Sequence, residues 1–154
     1  KWRVFNMGTK RVGMARVKAL INQNTNQLQM RRYNFQTISS DTTLTMADAG
    51  QIIAVNGASA LEVTLPSAAN TGAWFRFVLS DNTAHVDIIQ AGSGDDFVGS
   101  VMALSNKDTG TASDTKVRFV ASTALAGDYI EVYSNGVNWL ISGQTAVNSG
   151  IIFA

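Results

Sequence analysis

An Asn-Gly pair at 135–136, set between two segments of alternating polarity, is the feature that most restricts what this chain can fold into. The stretch GDYIEVYSNGVNWLISG, 127–143, reads as an antiparallel hairpin. A two-residue type I′ turn needs positive φ at both central positions, and Asn-Gly supplies that combination best. Such a loop sets Ser134 opposite Val137, Val132 opposite Trp139 and Ile130 opposite Ile141. Ile130, Val132, Trp139 and Ile141 then share one face, which is the buried one. The other face carries Tyr129, Glu131, Tyr133, Asn138 and Leu140, a mixed surface suited either to water or to a neighbouring subunit.

The chain before the hairpin repeats this texture. ALEVTLP alternates Leu61, Val63 and Leu65 against Glu62 and Thr64, and Pro66, the only proline, ends the run. WFRFVLSD places Phe75, Phe77 and Leu79 on one face and Trp74, Arg76 and Val78 on the other. YNFQTIS, TLTM, QIIAVNG, AHVDIIQ, DFVGSVMAL and TKVRFVAS supply further short strands, with Val117, Phe119 and Ala121 directed inward in the last. Asn56-Gly57 and the 47–50 stretch read as turns, and 106–114 (NKDTGTASD) reads as a polar loop. The tail ends in Ile151, Ile152 and Phe153, too apolar to hang free in water. Short strands spaced by turn signals predict an all-β fold, an antiparallel β-sandwich or jelly roll spanning 33–154.

At 154 residues the chain is long enough to bury a core without staples, and it has no cysteine, which excludes disulfides, thiol catalysis and cysteine-ligated zinc. No segment has the apolar length of a signal peptide core or a membrane span, so no membrane partner is expected. Charged residues are 15% of the total, so the polar surface is mostly neutral Ser, Thr, Asn and Gln.

The net charge of +1 hides an asymmetry. Residues 1–40 hold eight basic and no acidic side chains, whereas 41–154 hold four basic and eleven acidic ones. The basic stretch has no steady period. Met14, Val17, Leu20 and Ile21 fit one face of a short helix, which the amide-rich NQNTNQ would end. Most of 1–32 reads as an extended N-terminal arm, with Trp2, Val4, Phe5 and Met7 as apolar anchors between basic residues. Two other readings compete. The arm docks as a strand on its own acidic domain, or it binds nucleic acid. Against the second stand the acidic remainder and the lack of a nucleic-acid-binding motif.

Candidate chemistry is sparse. His85 and Asp87 share a face of one strand, but there is no nucleophile elbow beside them and no second histidine for zinc. The 92–96 stretch GSGDD resembles part of a calcium or phosphate loop without completing either pattern. Glu62 and Glu131 are the only glutamates, and a hydrolytic carboxylate pair would have to draw on aspartates such as Asp95 and Asp96. Trp74, Tyr129 and Tyr133 are the aromatics placed to stack on sugar rings. No cofactor and no small-molecule substrate is expected.

The succession LEVTLPSAANTGAWFRFVL (61–79), VDIIQAGSGDDFVGS (86–100) and KVRFVASTALAGDYIEVYSNGVNWLISG (116–143) resembles a β domain found in tailed-bacteriophage virion proteins. The shared order is a strand ending in Leu-Pro, a Gly-led aromatic strand, a Gly-Asp turn and a final Asn-Gly hairpin followed by Trp. The resemblance covers about residues 58–143. It implies a head decoration or cement protein, head fibre or tail fibre, typically a homotrimer that binds other virion proteins or host sugars and does no chemistry.

The expectation is therefore a capsid decoration protein on the outer surface of the virion head, with the major capsid protein as partner. Trp2, Arg3, Phe5, Lys10, Arg11, Arg16, Lys18, Arg31 and Arg32 would bind the capsid. Tyr129, Tyr133, Leu140, Ile151 and Phe153 would form the subunit interface, unless the tail closes the chain's own core. The alternative is a tail-fibre or receptor-binding protein that recognises host polysaccharide.

Overall fold

The computed structural model describes residues 16–19, 34–70, 72–90, 94–110 and 114–154. The chain divides into two units, Lys1–Tyr33 and Asn34–Ala154. Within the first, residues 16–19 form a turn of helix with exposed side chains, on the stretch where Val17 helps define a helical face.

The described residues of the second unit form a β-sandwich of twelve strands: β1 (Asn34–Ile38), β2 (Thr42–Thr43), β3 (Gln51–Asn56), β4 (Leu61–Thr64), β5 (Trp74–Asp81), β6 (Val86–Ile89), β7 (Phe97–Met102), β8 (Lys107–Gly110), β9 (Lys116–Phe119), β10 (Tyr129–Ser134), β11 (Trp139–Gln144) and β12 (Ile151–Phe153). A seven-stranded sheet has the order β1-β3-β5-β10-β11-β7-β8 and a five-stranded sheet the order β12-β9-β6-β4-β2. Their inner faces meet in one core, in which Trp139, Phe75, Phe77, Phe97 and Phe119 are wholly buried. Each such ring contributes about 1.5–3 kcal/mol through the area removed from water. Phe75 lies 6.0 Å, centroid to centroid, from Trp139 and 6.2 Å from Phe77, so the three rings tie β5 to β11 across the intervening β10.

The sandwich is all-β, as alternation predicts, but both sheets are mixed rather than purely antiparallel. The first six strands alternate between sheets, so β1, β3 and β5 run parallel in one, and β2, β4 and β6 run parallel in the other. A chain that crosses the sandwich at each turn returns in the direction it left. Asn56-Gly57 belongs to this winding. Rather than closing a hairpin, it carries the chain from β3 to β4. The Asn56 side chain accepts the Ala58 N–H at 3.1 Å, and Gly57 donates to Asp81 O at 3.0 Å. A Cβ on Gly57 would come within 2.6 Å of Asp81 O and 2.8 Å of Ala84 O, so this glycine serves close backbone approach.

The Asn135-Gly136 hairpin forms with a wider loop than the two-residue turn. Residues 135–138 make the connection, Ser134 pairs with Trp139, Val132 with Ile141 and Ile130 with Gly143. The Asn135 side chain accepts the N–H groups of Val137 at 2.9 Å and Asn138 at 2.8 Å, closing the loop two residues later. Of the central pair only Gly136 takes positive φ, 96°. A slip of two residues preserves which side chains point inward, so Ile130, Val132, Trp139 and Ile141 are buried together despite the different register.

One further expectation is corrected. The 106–114 stretch is not all loop, because Lys107–Gly110 forms edge strand β8 against β7. Its exposed polar side chains conceal the pairing from any reading of alternation. The tail forms β12, antiparallel to β9, and Ile151 is 1% exposed in the chain's own core, with Phe153 packed against it. Ile151 thus closes the chain's own core, one of the two roles the sequence left open for the tail, while Phe153 is half-buried beside it.

Candidate interaction face

The outer face of the seven-stranded sheet follows from its register. One row runs Phe35, Ile52, Arg76, Glu131, Ser142, Ser100, Thr109 across all seven strands. A second runs Trp74, Tyr133, Leu140, Val98. A third runs Thr37, Ala54, Val78, Tyr129, Gln144, Met102, Lys107. Each is the non-core parity of a strand whose alternate residues fill the interior.

Phe35 is 63% exposed on this face, Met102 54%, Tyr133 42% and Leu140 41%. Ile52, Trp74, Val78, Val98 and Tyr129 lie half-buried between them. At the centre, Arg76 donates to Glu131 Oε1 at 3.1 Å, and its guanidinium carbon sits 4.1 Å from the centroid of the Tyr129 ring. The Tyr133 hydroxyl donates to the other carboxylate oxygen, Oε2, at 2.8 Å. That hydrogen bond, then partial burial and the Glu131 charge, hold the Tyr133 phenol above its ordinary range, since ionising it would set two anions side by side. The cluster is therefore internally satisfied: one cation, one anion and one neutral phenol lie flat on the sheet.

The outer face of the five-stranded sheet has a different character. Asp87, on β6, faces Arg118, on β9, and both carboxylate oxygens accept from the guanidinium, at 2.6 Å from Nε and 2.7 Å from Nη2. Lys116 Nζ stands 3.6 Å away. Desolvation pushes the Asp87 carboxyl up, but the Arg118 hydrogen bonds and charge, with Lys116 and His85, outweigh it and hold the group below its usual range. Glu62 and Thr64 on β4 extend this polar surface.

The other sequence candidates fall into structural roles. Arg118 takes both oxygens of Asp87, so the carboxylate is a cross-strand staple rather than a dedicated orienter of His85. Asp95 accepts the Ala68 N–H at 3.1 Å, and the Asp96 carbonyl accepts from Trp139 N–H at 2.9 Å, which pins the 94–96 turn to the sandwich. Asp128 accepts from Thr145 Oγ1 at 2.7 Å and from the N–H groups of Ala146 and Leu125 at 2.9 Å each, locking the chain before β10 to the chain after β11. Among the described residues no group of three or more His, Asp and Glu side chains gathers as a metal site, and no helix is long and apolar enough to cross a membrane.

Of the basic-segment residues, Arg16 and Lys18 are exposed on the turn of helix, while Trp2, Arg3, Phe5, Lys10, Arg11, Arg31 and Arg32 lie outside the described residues. Tyr129, Tyr133 and Leu140 do come together on the seven-stranded sheet, joined by Trp74, Phe35 and Met102. Sequence reading missed the Arg76–Glu131–Tyr133 cluster. Its signal was present as a central charge on the outer parity of both WFRFVLSD and YIEVYS, but only the pairing of β5 with β10 brings the charges together. Compared with models of known protein families the sequence matches none, and it matches no curated protein, so the functional reading rests on these faces and on the charge of residues 1–40.

Proposed function

We propose that this chain is a structural, non-catalytic virion protein of the capsid decoration or cement type, set on the outside of a tailed-phage head. The observation that carries the reading is the seven-stranded face: a wide, largely apolar platform whose central charged groups, Arg76 and Glu131, are already paired with one another. Such a surface suits protein contact better than chemistry on a small substrate. The resemblance of 58–143 to virion β domains and the basic character of residues 1–40 supply the setting, a cationic segment attracted to an acidic shell.

Arg16 and Lys18 are exposed and offer the cleanest test of that attraction. Full-length protein should co-sediment with undecorated heads at low ionic strength and be released as salt rises. Reversing both charges, with Arg16→Glu and Lys18→Glu, should weaken head binding by roughly tenfold or more. Retention on heads that is indifferent to salt and to both reversals would contradict the electrostatic part of the proposal.

A second reading has its own observation. Trp74 and Tyr133 face each other on adjacent strands, and aromatics on an open sheet face can stack on sugar rings. A receptor-binding tail protein would show saccharide affinity that falls on Tyr133→Ala, and would bind tails or host cells rather than heads.

A further inference from the structure

We infer that the outer face of the seven-stranded sheet is a self-association surface, occupied by the same face of a second copy of this chain. The inference concerns how copies meet and rests on the reading of this face as a protein-contact surface, not on the capsid as partner.

Charge distribution is the first argument. Residues 34–154 hold four basic and eleven acidic side chains. The three rows of the outer face contain two of those bases, Arg76 and Lys107, and one acid, Glu131. The remainder of the unit therefore carries two bases against ten acids. Two copies meeting through the acidic remainder would bring like charges together; the outer face of the five-stranded sheet is itself balanced, Lys116 and Arg118 against Glu62 and Asp87, but is polar rather than apolar. Through the seven-stranded face they meet on a near-neutral part.

Size is the second. Seven strands at about 4.8 Å spacing span roughly 29 Å, and six-residue strands run about 20 Å. The footprint is about 600 Å² before side-chain relief is counted, close to the roughly 800 Å² that each partner buries in a standard interface. Aromatic, Met and Arg side chains dominate its centre, as in interface cores, and its only charged groups besides Lys107 at the rim are the paired Arg76 and Glu131.

The chemistry also separates a second copy from a polysaccharide. A saccharide site needs polar groups ready to engage hydroxyls. Here Glu131 is taken at both oxygens, by Arg76 and by Tyr133, and the Arg76 guanidinium covers the Tyr129 ring. What the face offers outward is mainly the hydrocarbon and ring area of Phe35, Tyr133, Leu140 and Met102, with the neutral side chains of Thr37, Ser142, Gln144 and Thr109 beside it. That area is satisfied by a like surface.

Sedimentation velocity of the full-length chain over a wide concentration range tests this. The wild type should show a concentration-dependent oligomer. Leu140→Asp and, separately, Phe35→Asp should each raise its dissociation constant roughly tenfold or more, while Glu62→Lys on the opposite sheet leaves it unchanged. Both apolar positions are solvent-exposed in the single chain, so each variant should remain folded by circular dichroism. A chain that stays monomeric throughout, or an oligomer unmoved by Leu140→Asp and Phe35→Asp, overturns the inference. Saccharide binding by a monomer, lost on Tyr133→Ala, overturns it in favour of a glycan surface.

Discussion

The two outer faces of the sandwich each carry one arginine–carboxylate pair between neighbouring strands, and the pairs do opposite things. Arg118 grips both oxygens of Asp87, whose side chain is 9% exposed, and so staples β9 to β6. Arg76 reaches a single oxygen of Glu131, leaves the other to Tyr133 and spreads its plane over Tyr129. The first arrangement strengthens a small sheet whose outer surface is polar. The second neutralises charge on a broad sheet whose outer surface is apolar. A pair that takes both carboxylate oxygens across neighbouring strands holds a fold together, and a pair laid flat among rings leaves a surface free to meet another.

That contrast can be broken from the inside out. Phe77→Ala removes a wholly buried ring beneath both faces and should cost about 3–5 kcal/mol, read as a lower midpoint in urea unfolding. Asp128→Ala leaves the Leu125 and Ala146 amides without their acceptor and the Thr145 hydroxyl with only the Val147 carbonyl, and should cost about 2–3 kcal/mol. Asp87→Ala should cost about 1–3 kcal/mol, since Arg118 loses its partner at a partly exposed site. On the other face, Arg76→Ala should cost less than about 1 kcal/mol, because that ion pair is substantially exposed. If Arg76→Ala destabilises the chain as much as Asp87→Ala does, the distinction between the two pairs fails.

Titration sharpens the same comparison. Asp87 has a folded pKa below its unfolded value, so its contribution is fully present above about pH 4 and is lost as pH falls through the folded value. Asp87→Asn should flatten the acid limb of the stability curve. Glu131→Gln should bring the Tyr133 phenol back toward its ordinary value near about 10, as seen by ultraviolet difference titration.

How much of this was legible in the sequence depends on range. Alternation placed β5 at Trp74–Asp81 and picked out Phe75, Phe77 and Leu79 as its inward side chains, because period two is a local property. The parity of β10 and β11 survived even though the loop is wider than Asn-Gly implied, since a slip of two residues leaves every side chain on its own face. Strand order was not legible. Parallel neighbours β1, β3 and β5 arise from the chain crossing between sheets, and no local signal distinguishes a crossing turn from a hairpin turn. The interaction face was half legible. Tyr129, Tyr133 and Leu140 share a parity on one hairpin, but Phe35, Arg76 and Met102 join them only through pairings with distant strands. Edge strand β8 escaped notice because its Lys-Asp-Thr residues carry a loop's composition.

The central claim is that one outer face meets other molecules and the opposite one meets water. Because the chain has no cysteine, a single thiol reports one position without interference. Ser142→Cys sits mid-row on the seven-stranded face and Glu62→Cys on the five-stranded face, both exposed. Rates of thiol alkylation should be compared at low and high concentrations of the full-length protein. The account predicts that Ser142→Cys is protected as concentration rises while Glu62→Cys is not. Equal reactivity at both positions at every concentration, or protection of Glu62→Cys alone, would contradict it.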